Sequence, residues 1–234
     1  MKDRLRANIW KLGNKFNNHY LVDRFNSTYY KYAQKNISCN CPLCKCPSQN
    51  GLMYSFDYIH EKSNLMYYDT PKCASTSIRT ALFNGDNSFS MTNPEKKLID
   101  YYKFTFVRNP WDRMVSNWKM FTTQPMRIKQ LKSMTNQNLA NFEDFIHFSK
   151  HKKNHHWQPQ TLFLPENLDF VGRVENFDND FEKLLNNIGE TPQNPLHKNK
   201  TQRKNYREYY TKSTIKLVAE LYKEDIKTFG YCFD

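Results

Sequence analysis

Glycine is scarce in this chain, with six residues in 234 and none between positions 52 and 84. That shortage has a direct consequence. The usual strand-to-helix loop for ATP or GTP is spelled G-x-x-x-x-G-K-[ST], and the loop considered below has no glycine at all. An ordinary P-loop kinase is therefore disfavoured; magnesium-dependent ATP binding would be its signature. Long apolar runs are also missing. Nothing approaches the roughly 20 consecutive apolar residues that a bilayer span needs, and the mean hydropathy is −0.87. The start, Met1 to Trp10, is basic with no apolar run behind it, which argues against a secretory signal. These absences lead to the expectation of a soluble, cytoplasmic protein. Acidic residues are outnumbered, 23 against 35 Lys and Arg, for a net charge of +12. Such an imbalance calls for a polyanionic partner: nucleic acid, an anionic nucleotide or an acidic glycan.

What the chain does have is aromatic side chains, 15% of its residues. Large rings build a core where aliphatics are few. The stretch Thr70-Pro71-Lys72-Cys73-Ala74-Ser75-Thr76-Ser77 organises the rest. Leu65 to Tyr68 before it reads as a short buried strand. Ser77 to Phe83 after it reads as a helix, with Ile78, Ala81 and Leu82 on one face. The first N–H groups of a helix lack partners and carry partial positive charge, so a phosphate fits there. Lys72 adds a full charge, and Ser75, Thr76 and Ser77 add hydroxyls.

The pattern returns downstream. Phe104 to Val107 reads as a second buried strand, and Arg108 stands where it ends. Pro110 suits the first turn of a helix. Met114, Val115 and Trp118 then form an apolar stripe, which makes Trp111 and Trp118 core residues rather than adenine platforms. A cation and a serine, Ser116, at the carboxyl end of a strand occupy the place where open α/β sheets bind ligands.

The first stretch resembles the 5′-phosphosulfate loop of sulfotransferases that use 3′-phosphoadenosine 5′-phosphosulfate (PAPS). The second resembles their 3′-phosphate motif, an arginine and a serine eight residues apart behind a hydrophobic strand. The wording Phe-x-Phe-Val-Arg-Asn-Pro-Trp-Asp-Arg-x-Val-Ser is similar to the carbohydrate (Golgi-type) branch. His156-Trp157-Gln158-Pro159-Gln160 and Asp169 to Phe177 resemble further elements of that branch, in order. The resemblance covers about residues 65 to 233. It implies an α/β, P-loop-like sulfotransferase fold, with a central, mainly parallel sheet flanked by helices. It implies PAPS as co-substrate, bound by Pro71, Lys72, Cys73, Ala74, Ser75, Thr76 and Ser77 at the 5′ side. Arg108 and Ser116 would hold the 3′-phosphate. Lys72 would stabilise the leaving phosphate. The acceptor would be a carbohydrate or another hydroxyl or amine. Apart from the resemblance, the basic loop from Lys198 to Lys204 reads as closing over the nucleotide through Arg203, as recruiting an acidic acceptor, or, for most of its lysines, as solvated surface. Relatives often place a basic His or Glu between the two motifs. Here that gap holds only Asp86, Glu95 and Asp100 in no recognisable pattern, while His60, His155 and His156 lie outside it. His156 is the candidate catalytic base, a hydrogen bond that fixes its loop is the competing role, and an inactive PAPS-binding relative stays open. Arg113 is expected to pair with Asp112 or a neighbouring strand.

Along the chain, residues 1–60 read as an amino-terminal extension and 61–234 as the sulfotransferase domain. The extension carries Cys39, Cys41, Cys44 and Cys46, four thiols in eight residues. Cys41-x-x-Cys44 has the spacing of half a zinc site, which Cys39 and Cys46 would complete. Disulfides and free thiols are the other readings. Met53 to Tyr58 reads as an edge strand and 84–94 as a loop, followed by a helical piece ending near Tyr102. Residues 121–141 read as loop or short helices, 141–148 as a helix burying Phe142, Phe145 and Ile146, and 150–156 as a His-rich surface loop. Phe177 to Ile188 and Thr211 to Phe229 read as helices, with a basic loop from 194 to 206 between them. A basic nucleic-acid-binding protein with a zinc module is the alternative function. It accounts for the charge and the cysteines, not for two successive strand-to-helix anion motifs.

Overall fold

The computed structural model describes residues 56–60, 63–83, 101–165, 167–191 and 203–234. Among them four strands make one sheet: β1 (Phe56–His60), β2 (Leu65–Asp69), β3 (Tyr102–Val107) and β4 (Phe170–Arg173), in that spatial order. β1 runs antiparallel to β2, while β2, β3 and β4 are parallel. The α/β architecture with a mainly parallel sheet is thus the one expected. The helices are α1 (Ser75–Leu82), α2 (Pro110–Thr123), α3 (Pro125–Met134), α4 (Phe142–His151), α5 (Phe177–Ile188), α6 (Lys212–Leu221) and α7 (Lys223–Phe229). Short 3₁₀ turns fill much of the remainder. No helix among the described residues is long and apolar enough to cross a membrane.

Side chains alternate across a strand, and each face of the sheet has its own core. On one face Tyr67, Phe104 and Phe106 pack with Ile78, Ala81 and Leu82 of α1 and with Phe181 and Leu184 of α5. The rings of Tyr67 and Phe104, paired across β2 and β3, stack with centroids 5.1 Å apart. Gly172 of β4 lies under Phe106, where a Cβ would come within 2.4 Å of the ring, so only glycine lets these strands pair. On the other face Val107 joins Trp111, Met114 and Val115 of α2, Phe145 and Ile146 of α4, and Val218 of α6. β3 is buried along most of its length, as a central parallel strand should be. It ends at Val107, and two residues on the Asn109 side chain accepts from the N–H groups of Trp111 and Asp112 and caps α2, with Pro110 in the first turn. Both tryptophans are in the core as expected, Trp118 at its edge.

Three local expectations are corrected. α1 begins at Ser75, two residues early, because Ala74 already takes a left-handed turn. Within 121–141, read as loop or short helices, the helical alternative holds for α3. The supposed surface loop 150–156 continues α4 to His151 and then buries Asn154, His155 and His156. Arg113 and Asn117 of α2 bond the His156 carbonyl there, contacts that no local pattern reveals. The final helix is two helices, α6 and α7, broken at Tyr222. Tyr222 is buried and donates its hydroxyl to the Trp157 carbonyl at 2.7 Å. The break turns α7 so that Asp225 meets the 160–161 turn. The helical piece expected before Tyr102, and most of the loop 194–206, lie outside the described residues.

Candidate active site

Two strand-to-helix turns stand side by side at the carboxyl ends of β2 and β3. The first runs from Thr70 to Ser75. The N–H of Cys73 closes back on the Thr70 carbonyl at 3.1 Å. Lys72 and Ala74 both sit at positive φ, 72° and 63°, conformations for which glycine is the usual choice. An ordinary residue there costs about 1–2 kcal/mol. The loop therefore has the shape of a phosphate cradle without the glycines that normally spell it. No side chain caps α1, and the opening N–H groups of any helix lack acceptors within it. The Ser75 hydroxyl donates to Asp69 at 2.7 Å, so what Ser75 offers the cradle is its N–H. Thr76 is exposed at the first turn, and Ser77 is buried.

In the second turn the Arg108 guanidinium bonds Asp112 through Nε at 2.8 Å and the Lys72 carbonyl through Nη1 at 3.1 Å. The two motifs therefore touch. Arg203 bonds the other oxygen of Asp112, completing an Arg–Asp–Arg cluster. Its Nη1 is buried with no hydrogen-bond partner among the described residues. Ser116 lies one helical turn beyond Asp112, half-buried on α2. The structure thus brings Lys72, Arg108 and Arg203 together, with Ser116 on the adjoining turn.

Arg113 is fully buried and does not pair with Asp112. Its three nitrogens donate instead to the carbonyls of Pro71 (2.9 Å), Gln158 (2.8 Å) and His156 (3.1 Å). Asn117, one turn along, donates to the same His156 carbonyl at 2.7 Å. This face of α2 therefore joins the Thr70–Ser75 turn to the 154–160 segment. The role of Arg113 is structural, as expected, but through a different partner set: Asp112 is already engaged by two arginines.

A profile of the sulfotransferase family matches residues 57–232, well over half the chain. The chain belongs to the sulfotransferase family. Comparison with curated proteins and with solved structures finds no significant match.

In this sulfotransferase burial perturbs Lys72, Cys73 and His156. Burial, then the neighbouring Arg108 and Arg127 charges, pulls the Lys72 ammonium down to about 8. Among the described residues its Nζ meets a weak acceptor, the Met120 thioether, at 3.6 Å. Burial pushes the Cys73 thiol up to about 12, so it is an uncharged packing group; it donates to Gln160 Oε1 at 3.1 Å. Burial, then His155, Arg127, Lys72 and Arg113, holds His156 well below the ordinary imidazole range. Asn154 Oδ1 accepts from the His156 N–H and lies 2.9 Å from its Nδ1. An oxygen that accepts from a backbone N–H also accepts from the ring, so the proton of the neutral imidazole is on Nδ1 and Nε2 carries the lone pair.

Several members of the site were not visible as such in the sequence. Gln160 belongs to a recognisable run, but its contacts to both strand-to-helix turns come only from the fold. Arg127 of α3 stands 6.0 Å from the Phe121 ring, against which His156 also packs; nothing in its local sequence marks it. Asp69 was hidden as the last residue of a strand. Cys39, Cys41, Cys44 and Cys46, and the base candidates Asp86, Glu95 and Asp100, lie outside the described residues. Among the described residues no group of three His, Cys, Asp or Glu side chains is arranged to hold a metal.

Proposed function

We propose that this sulfotransferase moves the sulfuryl group of PAPS to a hydroxyl, or an amine, of an acceptor, and that the acceptor is a carbohydrate. One observation carries the donor assignment. The Arg108 side chain reaches the Lys72 carbonyl, so two anion-binding turns abut at the ends of adjacent parallel strands. A nucleotide bearing phosphates on both its 5′ and 3′ sides matches that pairing. The buried, unpartnered nitrogen of Arg203 fits the same ligand, since an oxyanion would satisfy it. The carbohydrate assignment rests on the wording of the motif from Phe104 to Ser116.

In this reading the α1 N-terminus and the loop Pro71 to Ser77 hold the 5′-phosphate. Arg108, Ser116 and Arg203 hold the 3′-phosphate. Lys72 stands by the oxygen that bridges sulfur and phosphorus. As that S–O bond breaks and the bond from the acceptor oxygen forms, Lys72 stabilises the charge left on the phosphate. The acceptor's proton passes to Nε2 of His156. Such transfer depends mainly on placement and charge stabilisation.

Calorimetric titration with 3′-phosphoadenosine 5′-phosphate, with ADP as control, tests the donor site. The wild type should prefer the bisphosphate. Arg108→Ala should remove about 10–100-fold of its affinity, the scale of a charge-assisted hydrogen-bond pair, and leave ADP unchanged. Equal binding of both nucleotides regardless of Arg108 would sink the reading. Steeply salt-dependent binding of RNA or DNA would then point to the nucleic-acid alternative.

A further inference from the structure

We infer that Gln160 is a positioning residue that fixes the spacing between the two phosphate sites; the inference rests on the donor site proposed above. Gln160 is fully buried, and every polar atom of its side chain is used. Its Oε1 accepts from the Arg108 N–H at 2.8 Å, and its Nε2 donates to the Arg108 carbonyl at 2.8 Å. One side-chain amide thus pairs with both the N–H and the C=O of Arg108, as a residue of a neighbouring strand would. It does so one residue after β3 ends, where the sheet no longer supports the backbone.

The same amide reaches two other elements. Its Oε1 also accepts from the Cys73 thiol, 3.1 Å away in the middle of the 5′ loop. On the far side Asp225 of α7 fixes the residue, accepting from the Gln160 N–H at 2.8 Å and from Nε2 at 3.3 Å. Asp225 also accepts from the N–H and hydroxyl of Thr161. The chain of contacts therefore runs from α7 through Gln160 to Arg108 and Cys73. Arg113 ties Pro71 to the same segment through Gln158, but it touches neither Arg108 nor Cys73 in these contacts. Arg108 and Arg113 reach across from the second turn itself; Gln160 bonds both turns from a third segment, and a ligand with phosphates at two fixed separations is sensitive to that distance.

Gln160→Ala removes the whole clamp. Gln160→Glu keeps an acceptor for the Arg108 N–H, but loses the donor to the Arg108 carbonyl and faces the Asp225 carboxylate. Affinities for 3′-phosphoadenosine 5′-phosphate and ADP are measured by calorimetry on wild type and both variants, with melting curves alongside. The expected result is a loss of bisphosphate-over-ADP preference of about tenfold or more in each variant, with ADP affinity retained, since a buried polar group left unpaired shifts the Arg108 backbone. A merely structural role would weaken both nucleotides alike. A folded variant that keeps the wild-type preference overturns the inference and leaves the donor site standing. A wild type with no preference overturns both. Should neither variant fold, amide exchange in the wild type decides: the Arg108 N–H should be protected like those of β3, and rapid exchange there overturns the clamp.

Discussion

Lys72 and His156 are the residues whose protonation matters most to the proposed reaction, and both are pushed toward their neutral forms by burial and by neighbouring cations. The two shifts have opposite uses. A neutral His156 is ready to take a proton. A neutral Lys72 stabilises no anion, so the nucleotide must bind its charged form. Ligand binding is therefore linked to proton uptake. With Lys72 lowered to about 8, bisphosphate affinity should be level below pH 7 and fall as pH rises through 8 and 9. Calorimetry at pH 8.5 in buffers of different ionisation enthalpy should register a net uptake of protons, and Lys72→Arg should abolish it. Uptake that survives the substitution would move the linkage to another group. For His156, replacement by Gln keeps the backbone carbonyl that Arg113 and Asn117 use. Turnover should fall by about 10²–10⁴-fold, the usual worth of a general base, with bisphosphate affinity unchanged. Unchanged turnover in a folded variant would leave His156 only the role of fixing its loop.

At the scale of elements, the 5′ loop is held in shape by what surrounds it. Arg113 anchors Pro71, Arg108 bonds the Lys72 carbonyl and Asp69 holds Ser75. These contacts keep Lys72 and Ala74 at positive φ against their own preference. Ala74→Gly relieves one of them. Removing a left-handed alanine gains more than the added freedom of glycine in the unfolded chain costs, so urea unfolding should show a gain of about 0.5–1 kcal/mol. A loss would mean that the Ala74 methyl, packed at the edge of the α1 core, is worth more than the strain. The same elements mark what the sequence could disclose. Both strand-turn-helix units were legible because their signals are local: apolar runs, Pro110 in a first turn, a hydroxyl cluster after Lys72. The break at Tyr222, the burial of His155 and His156, and the clamp at Gln160 were not. Each depends on a carbonyl or amide supplied by a distant segment, so polar residues that look solvated in the sequence are in fact buried. The early start of α1 was hidden for a related reason, since positive φ at Ala74 is imposed by the loop around it.

For the whole molecule, the buried titratable groups set how stability responds to pH, and they pull in opposite directions. Asp69, buried beneath the 5′ loop, is raised to about 6 by desolvation, against the opposing influence of the Ser75 hydrogen bond, the Arg79 charge and the Tyr67 hydroxyl. Between the unfolded carboxyl value near 3.8 and about 6, the native state binds more protons than the unfolded one. Its contribution to stability therefore falls as pH rises through that window. His156 behaves inversely. Its folded value is depressed, so acidification below about 6.5 favours the unfolded state. The wild-type profile mixes the two, and a difference between variants separates them. Asp69→Asn removes the carboxylate penalty at neutral pH and leaves His156 alone. Its stability relative to wild type, from urea unfolding, should be about 2 kcal/mol more favourable at pH 7 than at pH 4, the integral of a shift of this size. A difference that does not change with pH would show that Asp69 is already neutralised by Arg79 and Ser75. The base of the cradle would then be a well-compensated carboxylate rather than one that desolvation destabilises.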